Sequence, residues 1–215
     1  MRAVLLLVCG LLAAAAGPGP VDAGCGAAVA AAERAYANAP GLLAAIATVE
    51  SGRFDRRAGV RLAWPWTVTA EGVGTYYPGK SDAIAAVRLL QARGVQSIDV
   101  GCLQVNLLYH PTAFRDLDQA FDPAANALYA ARFLSGLHAR LGTWPAAAAG
   151  YHSLTPALGA QYRQLVAAVW AGAPVPTATG PGGMEIVRFP GGGQLRIERD
   201  LVEGGGRVSG VLLGP

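Results

Sequence analysis

The residue types able to do acid chemistry in this 215-residue chain converge on one glutamate. Ala47-Thr48-Val49-Glu50-Ser51-Gly52 closes a helical pattern whose apolar positions, Leu42, Leu43, Ile46 and Val49, recur at helical spacing. Glu50 follows Ile46 by four residues and Leu43 by seven, so its side chain leaves the helix on the apolar side. It also stands in the last turn, where the helix dipole presents its negative end. Burial and dipole both favour the neutral carboxyl, and a carboxyl that keeps its proton near neutral pH is what a general acid requires. The plainer reading of the same residue is an exposed glutamate at a frayed helix end.

Other polar residues fall where a groove would need them. Ser51 either hydrogen-bonds a ligand or caps the helix end. Gln104 and Asn106, in Gly101-Cys102-Leu103-Gln104-Val105-Asn106, carry amides suited to sugar hydroxyls and acetamido groups, or else to local backbone. Tyr151-His152 ends an alanine-rich helix, a place where tyrosine is also a common core residue. The three histidines, His110, His138 and His152, form no metal motif, and no cysteine has a metal-ligand spacing, so neither metal nor cofactor is expected.

The elements that must hold these residues read mostly as helix. Cys25–Ala37 is alanine-rich helix, and Asn38 then caps a helix from Pro40 to Ser51, with Gly52 as its left-handed closing residue. Residues 53–61, dense in arginine and aspartate, read as an exposed connection. Trp66–Ala70 and Val73–Tyr77 are strands joined by the turn Glu71-Gly72. Ser81 caps a helix that stops at Gly94, and Val95–Val100 is a third strand. His110–Leu117 suggests a short helix. Asp122-Pro123 starts a long one ending at Gly142, with Leu128, Ala131, Leu134, Leu137 and Leu141 inward. Two more helices begin at Thr143-Trp144-Pro145 and Thr155-Pro156, the last reaching Trp170. The fold class is mainly α (α+β), with a small antiparallel sheet inserted after the helix that bears Glu50.

Residues 1–23 read as a secretory signal: Arg2, an apolar core from Val4 to Ala16, and Val21-Asp22-Ala23 before cleavage. The apolar run is too short for a stable membrane span, and Asp22 three residues before Cys25 argues against a lipoprotein. Export to the periplasm follows. Cys9 leaves with the signal, and Cys25 and Cys102 remain in an oxidising compartment, where such a pair tends to bridge. Residues 24–170 make the principal domain. A Gly/Pro-rich linker covers 171–183, and the tail 184–215, with alternation in Glu185–Phe189 and Gln194–Glu198, is either disordered or a marginal hairpin. A charge of +3 and a pI near 8.9 exclude a nucleic-acid-binding profile.

Taken together, these residues resemble the catalytic domain of the soluble lytic transglycosylase family, related to goose-type lysozyme. Glu50-Ser51-Gly52 is similar to its Glu-Ser motif, Gly101–Gln104 to its Gly-Leu-Met-Gln, and Ala149–His152 to its Ala-Tyr-Asn region. Phe121-Asp122-Pro123 with Asn126 resembles the start of the long helix between those motifs. Cys102-Leu103 departs from Leu-Met, and His152 replaces an asparagine. The form Gly-Cys-x-Gln-Val-Asn is similar to a proteobacterial branch associated with envelope-spanning machines.

The resemblance implies a lysozyme-like helical domain that cleaves the β-1,4 bond from N-acetylmuramic acid to N-acetylglucosamine without water as acceptor. Glu50 would act as acid and then base, with Tyr151 at the position that orients it, and Ser51, Gln104, Asn106, Tyr151 and His152 on the substrate. The implied partners are peptidoglycan strands and, through the tail, a flagellar or secretion-system component; a monomer is expected. A hydrolytic muramidase, with Asp99 or Glu71 placing a water, and an idle wall-binding module are the alternatives.

Overall fold

Pro123 and Pro156 each occupy the first turn of a helix, where a missing N–H costs nothing, and the helices they open frame the molecule. The computed structural model describes residues 24–56 and 58–173, together with the backbone of four further strands between 177 and 213. The signal segment lies outside the described residues.

Helix α1 (Cys25–Ala35) packs against α5 (Pro123–Leu141), and α6 (Trp144–His152) lies between α5 and α7 (Pro156–Trp170). Helix α2 (Leu42–Ser51) packs on α7 and on α1. Caps match the sequence at α5, where Asp122 accepts from the Ala125 N–H at 2.8 Å, and at α6, where Thr143 accepts from Ala146 at 3.2 Å. Along α5 the buried stripe runs through Ala127, Ala130, Ala131, Leu134 and Leu137, while Leu128 and Leu141, expected inward, are exposed. Alanines make up most of that stripe, and α1 packs against the same helix.

The start of α2 differs from expectation. The helix begins at Leu42, and Asn38 does not cap it; its amide donates across to Ser135 Oγ at 2.7 Å and to the Ala131 carbonyl on α5. The cap comes from Glu33 at the end of α1, whose two carboxylate oxygens accept from the N–H groups of Gly41 (2.7 Å) and Leu43 (2.9 Å). A carboxylate there also faces the positive end of the dipole. At the other end Gly52 is extended (φ −63°, ψ 115°), not left-handed. Glycine is required because a Cβ would fall 2.1 Å from the Thr48 carbonyl oxygen.

The supposed connection after Gly52 is a hairpin, β1 (Gly52–Asp55) paired antiparallel with β2 (Val60–Ala63). Its charges alternate with Phe54, Val60 and Leu62, an alternation that the density of arginine concealed. The second hairpin is as read: β3 (Thr67–Ala70) and β4 (Val73–Tyr76) meet through Glu71 (φ 53°) and Gly72 (φ 76°), both left-handed as a two-residue turn requires. Helix α3 (Lys80–Ala92) follows, without a side-chain cap from Ser81. Strands β5 (Ile98–Val100) and β6 (Val105–Asn106) extend the sheet on the other side of β3. The short helix expected over 110–117 is displaced to α4 (Leu117–Ala120), capped by Asp116.

Tail residues add β7 (Thr177–Thr179), β8 (Glu185–Arg188), β9 (Gln194–Arg199) and β10 (Val208–Leu213), giving the sheet order β6-β5-β3-β4-β10-β9-β8-β7. The two alternating stretches pair with each other, Glu185 opposite Ile197, and β10 lies along the open edge of β4. A lone hairpin would be marginal; an existing sheet edge supplies the partner it lacks.

Among the described residues the buried hydrophobic side chains form two cores. The helical one gathers α1, α2, α5, α6 and α7 with Cys102, Leu103 and Val105; the smaller one gathers β3, β5 and α3 around Ile98, Val100 and Phe121. Cys25 and Cys102 form the expected disulfide and tie the first residue of α1 to the loop between β5 and β6. Among the described residues no helix is long and apolar enough to cross a membrane.

Candidate active site

Glu50 stands at the seam between the two cores, in the last turn of α2. Its carboxyl is enclosed on the helical side by α7, where the Tyr162 hydroxyl donates to Oε1 at 2.6 Å. Burial pushes the Glu50 pKa up to about 8; the Tyr162 hydrogen bond opposes the shift and the charge of Asp99 adds to it. At pH 7 roughly nine-tenths of such a group is protonated. Burial thus favours the neutral carboxyl at the position that helix periodicity picked out.

Tyr162 was not singled out from the sequence. It shares a helical face with Leu165 and Val166 and reads as core, and indeed it is buried. The available signal was the hydroxyl itself, since a buried tyrosine must find a partner for it. His152 lies flat on the Tyr162 ring, centroids 4.7 Å apart with 7° between planes, while its residue remains exposed to solvent. The desolvation of its ring face against Tyr162 lowers its pKa.

The resemblance gave Tyr151 the task of orienting the glutamate. Its hydroxyl donates instead to the Leu103 carbonyl at 2.9 Å, and Tyr162 takes the position on Glu50. Ser51, expected either on a ligand or as a cap, has no exposed surface. Its hydroxyl lies 2.6 Å from the Cys102 carbonyl, to which it donates, and accepts from the Trp64 N–H at 3.2 Å. It joins α2 to the 101–104 loop and to the segment after β2.

The two amides are likewise engaged within the protein. Gln104, held in the left-handed region (φ 47°), donates to the carbonyls of Thr67 (3.1 Å) and Gly101 (3.0 Å) and accepts from Thr69 Oγ1 (2.5 Å). Asn106 donates to Asp99 Oδ1 (2.9 Å) and Ser97 Oγ (3.0 Å), and its oxygen accepts from the N–H groups of Leu108 and Tyr109. Through these bonds both side chains shape the loop.

Asn126 underlies that loop from α5. Fully buried, it accepts from the Leu103 N–H at 2.9 Å and donates to the carbonyls of Val100 and Ala120, each at 3.0 Å. Gly101 (φ 83°) must be glycine beside it, because a Cβ would meet the Asn126 amide nitrogen at 2.4 Å.

Asp99, on β5, is the second carboxylate of the site. It is half-buried, its pKa is raised by burial against the pull of Asn106, and its charge reaches both Glu50 and Tyr151. Glu71 is elsewhere, exposed at the β3–β4 turn and paired with Arg93 at 3.6 Å. No group of three or more His, Cys, Asp or Glu among the described residues has the arrangement to hold a metal ion.

A mainly helical lobe with small antiparallel sheets, and Glu50 at their seam, makes this a lysozyme-like α+β fold. Residues 27–164 match the family model described as the Transglycosylase SLT domain. The chain belongs to that family, whose members are lytic transglycosylases acting on peptidoglycan. No curated protein and no solved structure matches the chain.

Proposed function

We propose that the protein cleaves the N-acetylmuramic acid β-1,4 N-acetylglucosamine bond of peptidoglycan and closes a 1,6-anhydro ring on the muramic acid. The observation that carries this reading is the enclosed Glu50 carboxyl, raised to about 8 and hydrogen-bonded by Tyr162 at 2.6 Å. Glu50 gives its proton to the glycosidic oxygen as the C1–O4 bond breaks. The resulting carboxylate is steadied by the Tyr162 O–H, then takes the proton of the sugar's own 6-hydroxyl as O6 bonds to C1. Protons balance, Glu50 returns to its starting state, and no water is consumed. The intramolecular hydroxyl has the advantage of proximity over solvent. A protonation state matched to acid catalysis also argues against an idle binding module.

Hydrolysis is the second reading, favoured by Asp99, whose charge is felt at Glu50. Two carboxylates are what ordinary glycosidases use. Mass spectrometry of digested peptidoglycan separates the two: anhydro-muramyl ends support the first reading, and reducing ends would replace it with the second. The proposal extends to the periplasm, on the strength of the signal-like residues 1–23. There the enzyme would open the wall locally for a flagellar or secretion apparatus, with the tail as docking piece.

A further inference from the structure

Ala44, Ala47 and Thr48 leave α2 on a face turned roughly a third of a turn from Glu50, and they border a cavity of about 830 Å³ beneath the β1–β2 hairpin. Nothing in the cleavage step uses it. Its walls are largely apolar, with Val29 and Ala63 inside and Phe54 and Leu62 partly exposed at the mouth. Among the described residues that line it, Arg53, Arg56 and Arg61 are basic and Asp55 is acidic.

Arg53 is held ready. Its guanidinium carbon lies 3.4 Å from the Trp64 ring centroid, and Trp64 is fixed by edge contact with Trp66 and by its indole N–H donating to the Tyr77 carbonyl at 2.7 Å. Arg61 donates to the Gly52 carbonyl, which also accepts from the Tyr76 hydroxyl. A concave apolar site with a few convergent charged groups is the usual form of a ligand pocket. Its complement is a ligand that sets carboxylates among small methyl and methylene groups.

We propose that this cavity binds the acidic peptide carried by the wall's glycan strands, apart from the site that cuts the sugar. The inference rests on peptidoglycan being the substrate; on a peptide-bearing strand the lactyl carboxyl is consumed in the amide to the peptide, so the free carboxylates lie on the peptide beside its alanine methyl groups. Binding there would anchor the enzyme to peptide-bearing strands while Glu50 works from another face of the same helix.

The test uses the sugar-free N-acetyl tetrapeptide of alanine, γ-linked D-glutamate, diaminopimelate and D-alanine, titrated calorimetrically into the mature protein. Wild type and Glu50→Gln should bind it equally and saturably. Arg56→Ala should weaken binding about fivefold, and Leu62→Asp, which places a like charge at the mouth, tenfold or more. Absence of saturable binding, or equal affinity in both pocket variants, overturns the proposal. Should a variant fail to fold, amide shifts in the wild type decide. Peptide-induced shifts at Arg53, Phe54 and Leu62 support the site, and shifts confined to Asp99 and Asn106 would move the peptide to the cleavage groove and overturn it. No sugar is cut in this experiment, so missing peptide binding beside intact wall lysis sinks this proposal alone.

Discussion

Two polar regions meet beside Glu50, and they use their polar groups in opposite ways. On the helical side, α2 and α7 hold one carboxyl with its proton retained by burial and one hydroxyl aimed at it. On the sheet side, the 97–106 stretch is richer in hydrogen-bonding groups, yet Gln104 and Asn106 direct theirs to backbone and to Asp99, Ser97 and Thr69. The helical side thus holds a carboxyl whose ionisation burial opposes, and the sheet side a frame of amides bonded within the protein.

The strongest way to break that contrast is Glu50→Gln. The variant should lose about 10³-fold or more of its glycan cleavage, the scale of a lost acid–base group, measured as release of soluble muropeptides; near-normal lysis would remove Glu50 from the mechanism. The same variant should be no less stable than wild type. A raised carboxyl pKa favours the protonated fold, so the wild type carries no penalty below about 4.5, and its stability falls as pH rises towards about 8. Thermal melts should show the gap in favour of Glu50→Gln widening across that window and levelling above it. A gap independent of pH would contradict the buried-acid description.

On the frame side, Asn126→Ala should cost about 3 kcal/mol by chemical denaturation, because it leaves the Leu103 N–H and the Val100 and Ala120 carbonyls buried without their partner. Replacing both Cys25 and Cys102 by serine should cost a similar ~2–4 kcal/mol, since the bridge closes a span of 77 residues. In both cases the loss should appear in stability more than in the turnover of the molecules still folded. Unchanged melting of Asn126→Ala would show the frame to be dispensable.

The smallest effect sharpens the active side. Tyr162→Phe keeps the ring but removes the hydrogen bond to Glu50 Oε1, and turnover at pH 7 should fall about tenfold, the value of one charge-assisted bond. Because that bond lowers the Glu50 pKa, its loss raises it further, and the alkaline limb of the pH–rate profile should move to higher pH. A limb that stays in place would mean the hydroxyl has no hold on the titrating group.

Much of this was legible from the chain. Leu43, Ile46 and Glu50 share a helical face by arithmetic, Glu71-Gly72 marks a two-residue turn by backbone sterics, and Asp122-Pro123, Gly142 and Thr143 mark helix ends by local capping. Cysteine count and the signal-like start predicted the bridge that the fold closes. All of these are effects between residues close in sequence, or constraints of composition, which is why periodicity and counting reach them.

What only the tertiary structure decided involves partners far apart along the chain. Tyr162 reaches Glu50 across 112 positions, Asn38 reaches α5 across 93 and 97, and the Tyr151 hydroxyl goes to Leu103 across 48. Glu33 outcompetes the local cap of α2 because two carboxylate oxygens at the dipole's positive end satisfy two N–H groups at once. A sequence states how many donors and acceptors a buried seam contains. Which of them are consumed by one another, and which remain for chemistry, depends on the directions in which packed helices and strands point them.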